Sequence, residues 1–327
     1  MKLHPFGSQP SVSALTLGGG GIGMLWGATT DEECIATVRA AVDAGINLLD
    51  LAPRYGDGKA ESIVGEAFGG RLPAGVRVTS KCLLGDAPAA EVETRLRQSI
   101  ADSLARLRLR RLDLFLLHSN VVPDDHPMRR HANAATRMTP YARFVGTVRP
   151  VLERLKAEGL IGAWGLTGIG HPDTIIKLLS DRPAPAAVQC IANLLDSPGS
   201  LKFFEGPAKP RAVIAAAKAN GVGVMGIRAV QAGALTAAID RDLPPDHEEV
   251  RDYARAAKFR RLCVELGENP AAIAHRYALS IPGVDTVVLG VKNPGELEEC
   301  IAAAAAGPLP PELIAQVDAT VDRSADA

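Results

Sequence analysis

Aromatic side chains are scarce in this chain. Phe, Trp and Tyr together make up 4% of 327 residues, with two tryptophans among them. The core must therefore be mostly aliphatic, and a tryptophan in a loop becomes informative. Net charge is also missing. Lys and Arg number 36 against 37 Asp and Glu, a formal charge of −1, which excludes the basic footprint of a general nucleic-acid binder. No apolar run approaches the roughly 20 residues of a membrane helix. The opening MKLHPFGSQPSVSALTL is interrupted by polar and proline residues, so no signal peptide and no membrane association are expected. The five cysteines (Cys34, Cys82, Cys190, Cys263 and Cys300) are scattered and odd in number, without a CxxC pair. They suggest neither a zinc site nor a disulfide framework, and a reducing, cytoplasmic setting is expected. Hydrophobic residues at 47% and charged residues at 22% describe a chain that can offset its ordering entropy by burial.

What is present is an alternation. Eight short apolar runs, Ala14–Gly18, Ile46–Asp50, Val76–Lys81, Leu112–Leu117, Ile161–Leu166, Ala186–Cys190, Val222–Gly226 and Asp285–Leu289, are each bounded by Gly, Pro or a polar residue. Such runs suit strands buried on both faces of a parallel sheet. Helical patterns lie between them: Asp31–Ala44, Glu91–Leu107, Tyr141–Glu158, Ala208–Ala219, His247–Leu266 and Pro294–Ala304. Alternation of this kind, with eight candidate strands, predicts a closed α/β architecture, the (β/α)8 TIM barrel, as a single domain over residues 1–327. The competitor is an open doubly wound sheet. GGGGIGMLWG does not fit it, because the stretch is followed by a loop and does not lead directly into a helix. Residues Asn120–Pro140 and Asp240–Asp246 read as loops, and the residues after Asp322 as a frayed tail.

Asp50, Lys81 and His118 each end an apolar run that would otherwise be core, and Tyr55 follows in the loop LAPRYGDG. Each alone could simply solvate a strand end. Together they fall at one face of the expected barrel, where loops after the strands build active sites. A buried Lys or Asp is costly alone, so a mutual pair is expected.

DLAPRYGDG, the following SK and LLH, and the stretches from LTLGGGGIGMLWG to GVKNPGELEEC resemble the aldo-keto reductase family over nearly the whole chain. Leu15–Gly27 is most similar to the branch of bacterial sugar 1-dehydrogenases and pyridoxal dehydrogenase. The resemblance implies a barrel that binds NADP(H), less often NAD(H), and a catalytic tetrad of Asp50, Tyr55, Lys81 and His118. A carbonyl that accepts hydride needs a proton donor at its oxygen. Tyr55 is expected to be that donor, or the base in the oxidative direction, with Lys81 lowering its pKa, Asp50 holding Lys81, and His118 orienting the substrate oxygen.

For the cofactor, Gln189 and Asn193 resemble the family's QxxxN on the sixth strand, Gln189 holding the carboxamide or else capping the strand end. Thr167 stands for the serine of GxSN, while Gly168 replaces its asparagine. The aromatic residue of the family's seventh-strand motif is Ile227 here. Arg228 follows it, either contacting pyrophosphate or lying on the surface. Gly290, Lys292, Glu296 and Glu299 fall in the family's adenosine-phosphate segment. Lys292 suits a 2′-phosphate and Glu296 a ribose hydroxyl, so the expectation leans to NADP(H) with NAD(H) possible. Gly20, within Gly18–Gly21, suits close approach of backbone to ligand or a flexible turn. Trp26 and Tyr141 are candidate substrate-pocket walls or core packing. His126 and His131 read as solvated, and Cys82, on the far side of the strand from Lys81, as packing.

The expected function is interconversion of an aldehyde, ketone or sugar carbonyl with its alcohol. The alternative is a regulatory or redox-sensing barrel that binds NADP(H) and turns over slowly. Substrate identity, direction and oligomeric state are not legible in the sequence.

Overall fold

The apolar runs pair side by side and close into a ring. The computed structural model describes residues 1–127 and 134–323. In chain order its strands are β1 (Leu3–Phe6), β2 (Gln9–Ser13), β3 (Leu15–Gly18), β4 (Leu48–Asp50), β5 (Arg77–Cys82), β6 (Leu112–Leu117), β7 (Asn120–Val122), β8 (Met138–Pro140), β9 (Ile161–Thr167), β10 (Ala187–Ile191), β11 (Gly223–Ile227) and β12 (Thr286–Leu289). The closed barrel runs β3-β4-β5-β6-β9-β10-β11-β12 and back to β3, with parallel neighbours. All eight expected strands are present, each displaced by no more than two residues at an end.

The helices are α1 (Gly19–Ile22), α2 (Asp31–Asp43), α3 (Lys59–Phe68), α4 (Ala89–Leu107), α5 (Ala134–Arg137), α6 (Tyr141–Arg143), α7 (Arg149–Ala157), α8 (Pro172–Ser180), α9 (Pro210–Ala219), α10 (Glu248–Arg255), α11 (Ala257–Leu266), α12 (Pro270–Ser280), α13 (Pro294–Ala305) and α14 (Pro311–Asp318). Helix α2 opens on a capping box in which the Thr30 hydroxyl and the Glu33 carboxylate satisfy each other's backbone N–H groups. Helix α13 opens on Asn293, whose side chain accepts from the Glu296 N–H, with Pro294 in the first turn.

Gly19–Gly21 themselves form the short turn of α1, where without side chains Gly18 and Gly21 fit against the Leu289 and Val291 carbonyls, and residues 28–30 after GGGGIGMLWG are non-helical, as expected. Three expectations need correction. The segment Asn120–Pro140 is not only a loop: β7 and β8 pair in it, burying Val121, Val122 and Met138. The Tyr141–Glu158 stretch contains a π-helical turn at Phe144–Val148. His247–Leu266 breaks at Ala256 into two helices.

Side-chain alternation sets what faces the barrel interior. Leu48, Leu114, Leu116, Ala163, Ala187 and Met225 form one cluster with Phe6 and Val12 of the β1–β2 hairpin, which closes the N-terminal end of the barrel. Two residues further along the same strands the same face carries Asp50, His118, Gln189 and Ile227. The opposite parity, as in Leu49, Phe115, Leu117 and Val188, joins the larger core between strands and helices. Cys82 belongs to that core, as expected. No helix among the described residues is long and apolar enough to cross a membrane.

Candidate active site

The inward face therefore changes from apolar to polar at the C-terminal strand ends, and a cleft of about 740 Å³ opens there. Asp50, Tyr55 and His118 line it, and Lys81 lies fully buried beneath. The Lys81 Nζ meets Asp50 Oδ1 at 2.9 Å and donates to the Leu51 carbonyl at 2.9 Å and to Tyr55 Oη at 3.2 Å. Asp50 also accepts from the Thr79 hydroxyl at 2.8 Å and from Gln189 Nε2 at 2.8 Å. The ion pair is thus buried with its hydrogen-bonding capacity used, the condition under which burying two charges is tolerable.

Burial works against the Lys81 ammonium, yet Asp50 and Tyr55 hold its pKa above the ordinary lysine value. For Tyr55, burial pushes the phenol up, and the pull of Lys81 does not fully offset it. The expected lowering of the Tyr55 pKa is therefore corrected: desolvation of the phenolate outweighs the neighbouring cation, and the group rests as a phenol. His118 packs edge-on to the Tyr55 ring, with ring centroids 5.9 Å apart. Burial first, then the charges of Lys81, Arg54 and Arg137, drive its pKa well below 6.5, so it is neutral. Its Nδ1 is buried without a hydrogen-bond partner among the described residues.

The remaining expected residues extend along the same cleft. Gly20, Trp26, Thr167, Gln189, Arg228, Gly290, Lys292, Glu296 and Glu299 all line it. Because a carboxylate only accepts, the Gln189 atom facing Asp50 must be its amide nitrogen, which leaves the amide oxygen as the free acceptor. The Thr167 hydroxyl donates to the Leu117 carbonyl at 3.1 Å. A side chain at Gly168 would strike Val188 and the Gln189 carbonyl, which accounts for the missing asparagine. Trp26 lies over Gly20 and Gly290, where any added Cβ would meet its indole nitrogen at 2.5 and 3.3 Å.

Arg228 is not a surface residue. Its guanidinium donates to Glu249 at 2.6 Å and to Gln231 at 2.9 Å. Burial would raise the Glu249 carboxyl, but bonds from Ser200 and Arg228 hold it at about 2. Lys292 and Glu296 are bound to each other through both the ammonium and the Lys292 backbone N–H.

Two candidates lie elsewhere. Tyr141 is not a pocket wall: its hydroxyl donates to Asp181 at 2.7 Å and accepts from Lys177. Asn193 is buried away from the cleft, tying the turn at Leu195–Ser197 to Gln231. His126 meets the Phe203 carbonyl at 3.1 Å, so it is not simply solvated, and His131 lies outside the described residues. No cluster of metal-ligating side chains occurs among the described residues. Sequence reasoning missed Arg54, Arg137, Phe203, Arg241 and His275, which also line the cleft. Only Arg54, beside Tyr55, carried a positional signal; the others reach the cleft from separate loops and helices.

The Aldo/keto reductase family profile matches residues 14–322. The chain is 26% identical to L-galactose dehydrogenase of Arabidopsis thaliana over 294 residues, covering 89% of this chain and 84% of that protein. It is 27% identical to D-threo-aldose 1-dehydrogenase of a Pseudomonas species over 316 residues, covering 88% of each. An aldo/keto reductase from Klebsiella pneumoniae, solved with NADP and acetate, superposes with a TM-score of 0.67 at 22% identity, covering 98% of this chain and 95% of that one. With closed barrel, strand-end cluster and profile in agreement, the chain belongs to the aldo/keto reductase family.

Proposed function

We propose that the protein is an NAD(P)(H)-dependent oxidoreductase that interconverts a carbonyl and its alcohol, with Tyr55 exchanging the proton. The observation that carries this is the buried chain Asp50–Lys81–Tyr55, with Lys81 Nζ 3.2 Å from the phenol oxygen at the floor of a cleft that also holds His118.

The residues present fit a dinucleotide. The cleft runs from His118 to Lys292, Gln189 offers a fixed amide oxygen at its inner end, and Arg228, Lys292 and Arg241 supply cations towards the outer end. When bound, the nicotinamide supplies or accepts the hydride. Tyr55 donates the proton to the oxygen on which negative charge develops, and Lys81 steadies the phenolate that results. Neutral His118 hydrogen-bonds the same oxygen, satisfying a ring that otherwise lacks a partner. Asp50 keeps Lys81 charged and aimed, and simultaneously fixes Gln189.

Glu296 and Glu299 border the expected adenosine end. The Lys292–Glu296 pair leaves two ways to bind there: a 2′-phosphate must displace Glu296, whereas a ribose hydroxyl need not. NADP(H) is favoured, with support from the NADP complex of the Klebsiella protein, and NAD(H) is the alternative. Sugars are the substrate class that the named relatives support, and the cytoplasm is the compartment that fits five free, buried cysteines. The experiment is absorbance at 340 nm with both nicotinamides and a panel of aldehydes, ketones and sugars. Turnover of at least one carbonyl is expected. Tight nicotinamide binding without any turnover would favour a regulatory barrel instead.

A further inference from the structure

Five basic side chains line the cleft: Arg54, Arg137, Arg228, Arg241 and Lys292. The three towards the expected cofactor end are neutralised. Arg228 pairs with Glu249 at 2.6 Å, Arg241 with Asp240 at 3.1 Å, and Lys292 with Glu296. Arg54 and Arg137, beside His118, meet no carboxylate within 4.0 Å among the described residues. Of the residues outside the described ones, 128–133 (MRRHAN) contain no acid, and 324–327 (SADA) contain Asp326.

Arg54, Arg137 and His118 line the same cleft, and the charges of both guanidinium groups act on the His118 ring. Burial lowers the Arg137 pKa and the Arg54 charge lowers it further. Arg137 is half-buried, its guanidinium 5.5 Å from the centroid of Phe203, another wall of the cleft. A partly desolvated cation held near a like charge, with no counter-ion, is an arrangement that an anion relieves. A guanidinium also presents a planar fork of donors that matches carboxylate and phosphate oxygens.

We propose that Arg54 and Arg137 receive an anionic group carried by the carbonyl substrate, a carboxylate or a phosphate monoester. Within the carbonyl and sugar class the preferred substrates are then the anionic members, oxo acids or phosphorylated aldehydes and sugars with their hydroxy counterparts, over their neutral analogues. This rests on the oxidoreductase reading above. It adds a second point of attachment, so that the carbonyl is directed to Tyr55 and His118 while the acid is held at the cleft wall.

The test compares matched pairs: 4-oxobutanoate with its neutral methyl ester, and glyceraldehyde 3-phosphate with glyceraldehyde. The two pairs distinguish a carboxylate site from a phosphate site. In at least one pair the anion is expected to have a kcat/KM at least about tenfold higher, and the preference should shrink as salt is raised. The same ratio should fall at least about fivefold in Arg54→Gln and in Arg137→Gln, and Arg137→Lys should retain part of it. Equal or better use of the neutral member in both pairs overturns the proposal, as does a preference that survives both substitutions. If no carbonyl turns over although nicotinamide binds, the oxidoreductase reading fails separately. Calorimetric titration with succinate and with succinamide then decides the anion site. Tighter succinate binding that is lost in Arg137→Gln supports it, and equal binding of the two ligands ends it.

Discussion

At the scale of single residues, the account depends on a charge kept where water cannot reach it. Lys81 is 0% exposed and Asp50 is 1% exposed, so removing one partner leaves the other uncompensated. Lys81→Met should destabilise the protein by about 3–5 kcal/mol, read as a lowered urea midpoint with an unchanged slope. Asp50→Asn combined with Lys81→Met should be less destabilised than Lys81→Met alone, since the orphaned carboxylate is gone. The pH dependence has a defined sign. On the proposed mechanism Tyr55 carries its proton for reduction, and burial holds its pKa above the usual value of about 10. Reduction, measured as kcat/KM across pH, should therefore stay level from neutrality to about pH 9 and fall only beyond, while oxidation should rise over the same range. The tetrad was legible in the sequence because three of its members interrupt apolar runs at the same end. The resting protonation of Tyr55 was not legible, since the balance between burial and Lys81 depends on depth.

At the scale of elements, strand parity and helix starts decide which groups share the cleft. The start of α13 holds Glu296 against Lys292 through the Asn293 cap. Replacing that carboxylate by Glu296→Gln should free Lys292 for a 2′-phosphate. The ratio of kcat/KM for NADPH over NADH should rise about tenfold, and an unchanged ratio would remove Glu296 from the adenosine end. Strands were legible to within two residues, because fully buried parallel strands read as bounded apolar runs. Several helices were not. Helices α8, α12 and α14 each have proline in the first turn, a start signal that reads as loop when no long periodic pattern follows. The β7–β8 pair was hidden because each strand has three residues and the intervening segment is polar and proline-containing.

At the scale of the whole molecule, one end of the barrel is sealed and the other is chemical. Phe6, 1% exposed, reaches from the β1–β2 hairpin into the strand-start layer and packs against Gly223, where a Cβ would lie 2.5 Å from its ring. Phe6→Ala should cost about 3–5 kcal/mol, seen as a lowered Tm, with kcat at 25 °C retained because the seal lies at the far end from Tyr55. The count of eight strands was visible in the sequence, and with it the architecture. Closure by the hairpin was not, since LHPF and QPSVS are too short and mixed to show a pattern. Nor was the gathering of Arg54, Arg137 and Phe203 in one cleft, because residues far apart in the chain meet there only after the ring has closed.

Single-turnover hydride transfer, followed by stopped-flow at 340 nm in the nicotinamide-loaded enzyme, tests the central assignment most directly. Tyr55→Phe removes one oxygen and leaves the ring in place. The transfer rate should fall by at least about a hundredfold while the dissociation constant for the nicotinamide changes by less than about threefold. A rate within about threefold of the unaltered protein would show that the proton comes from elsewhere.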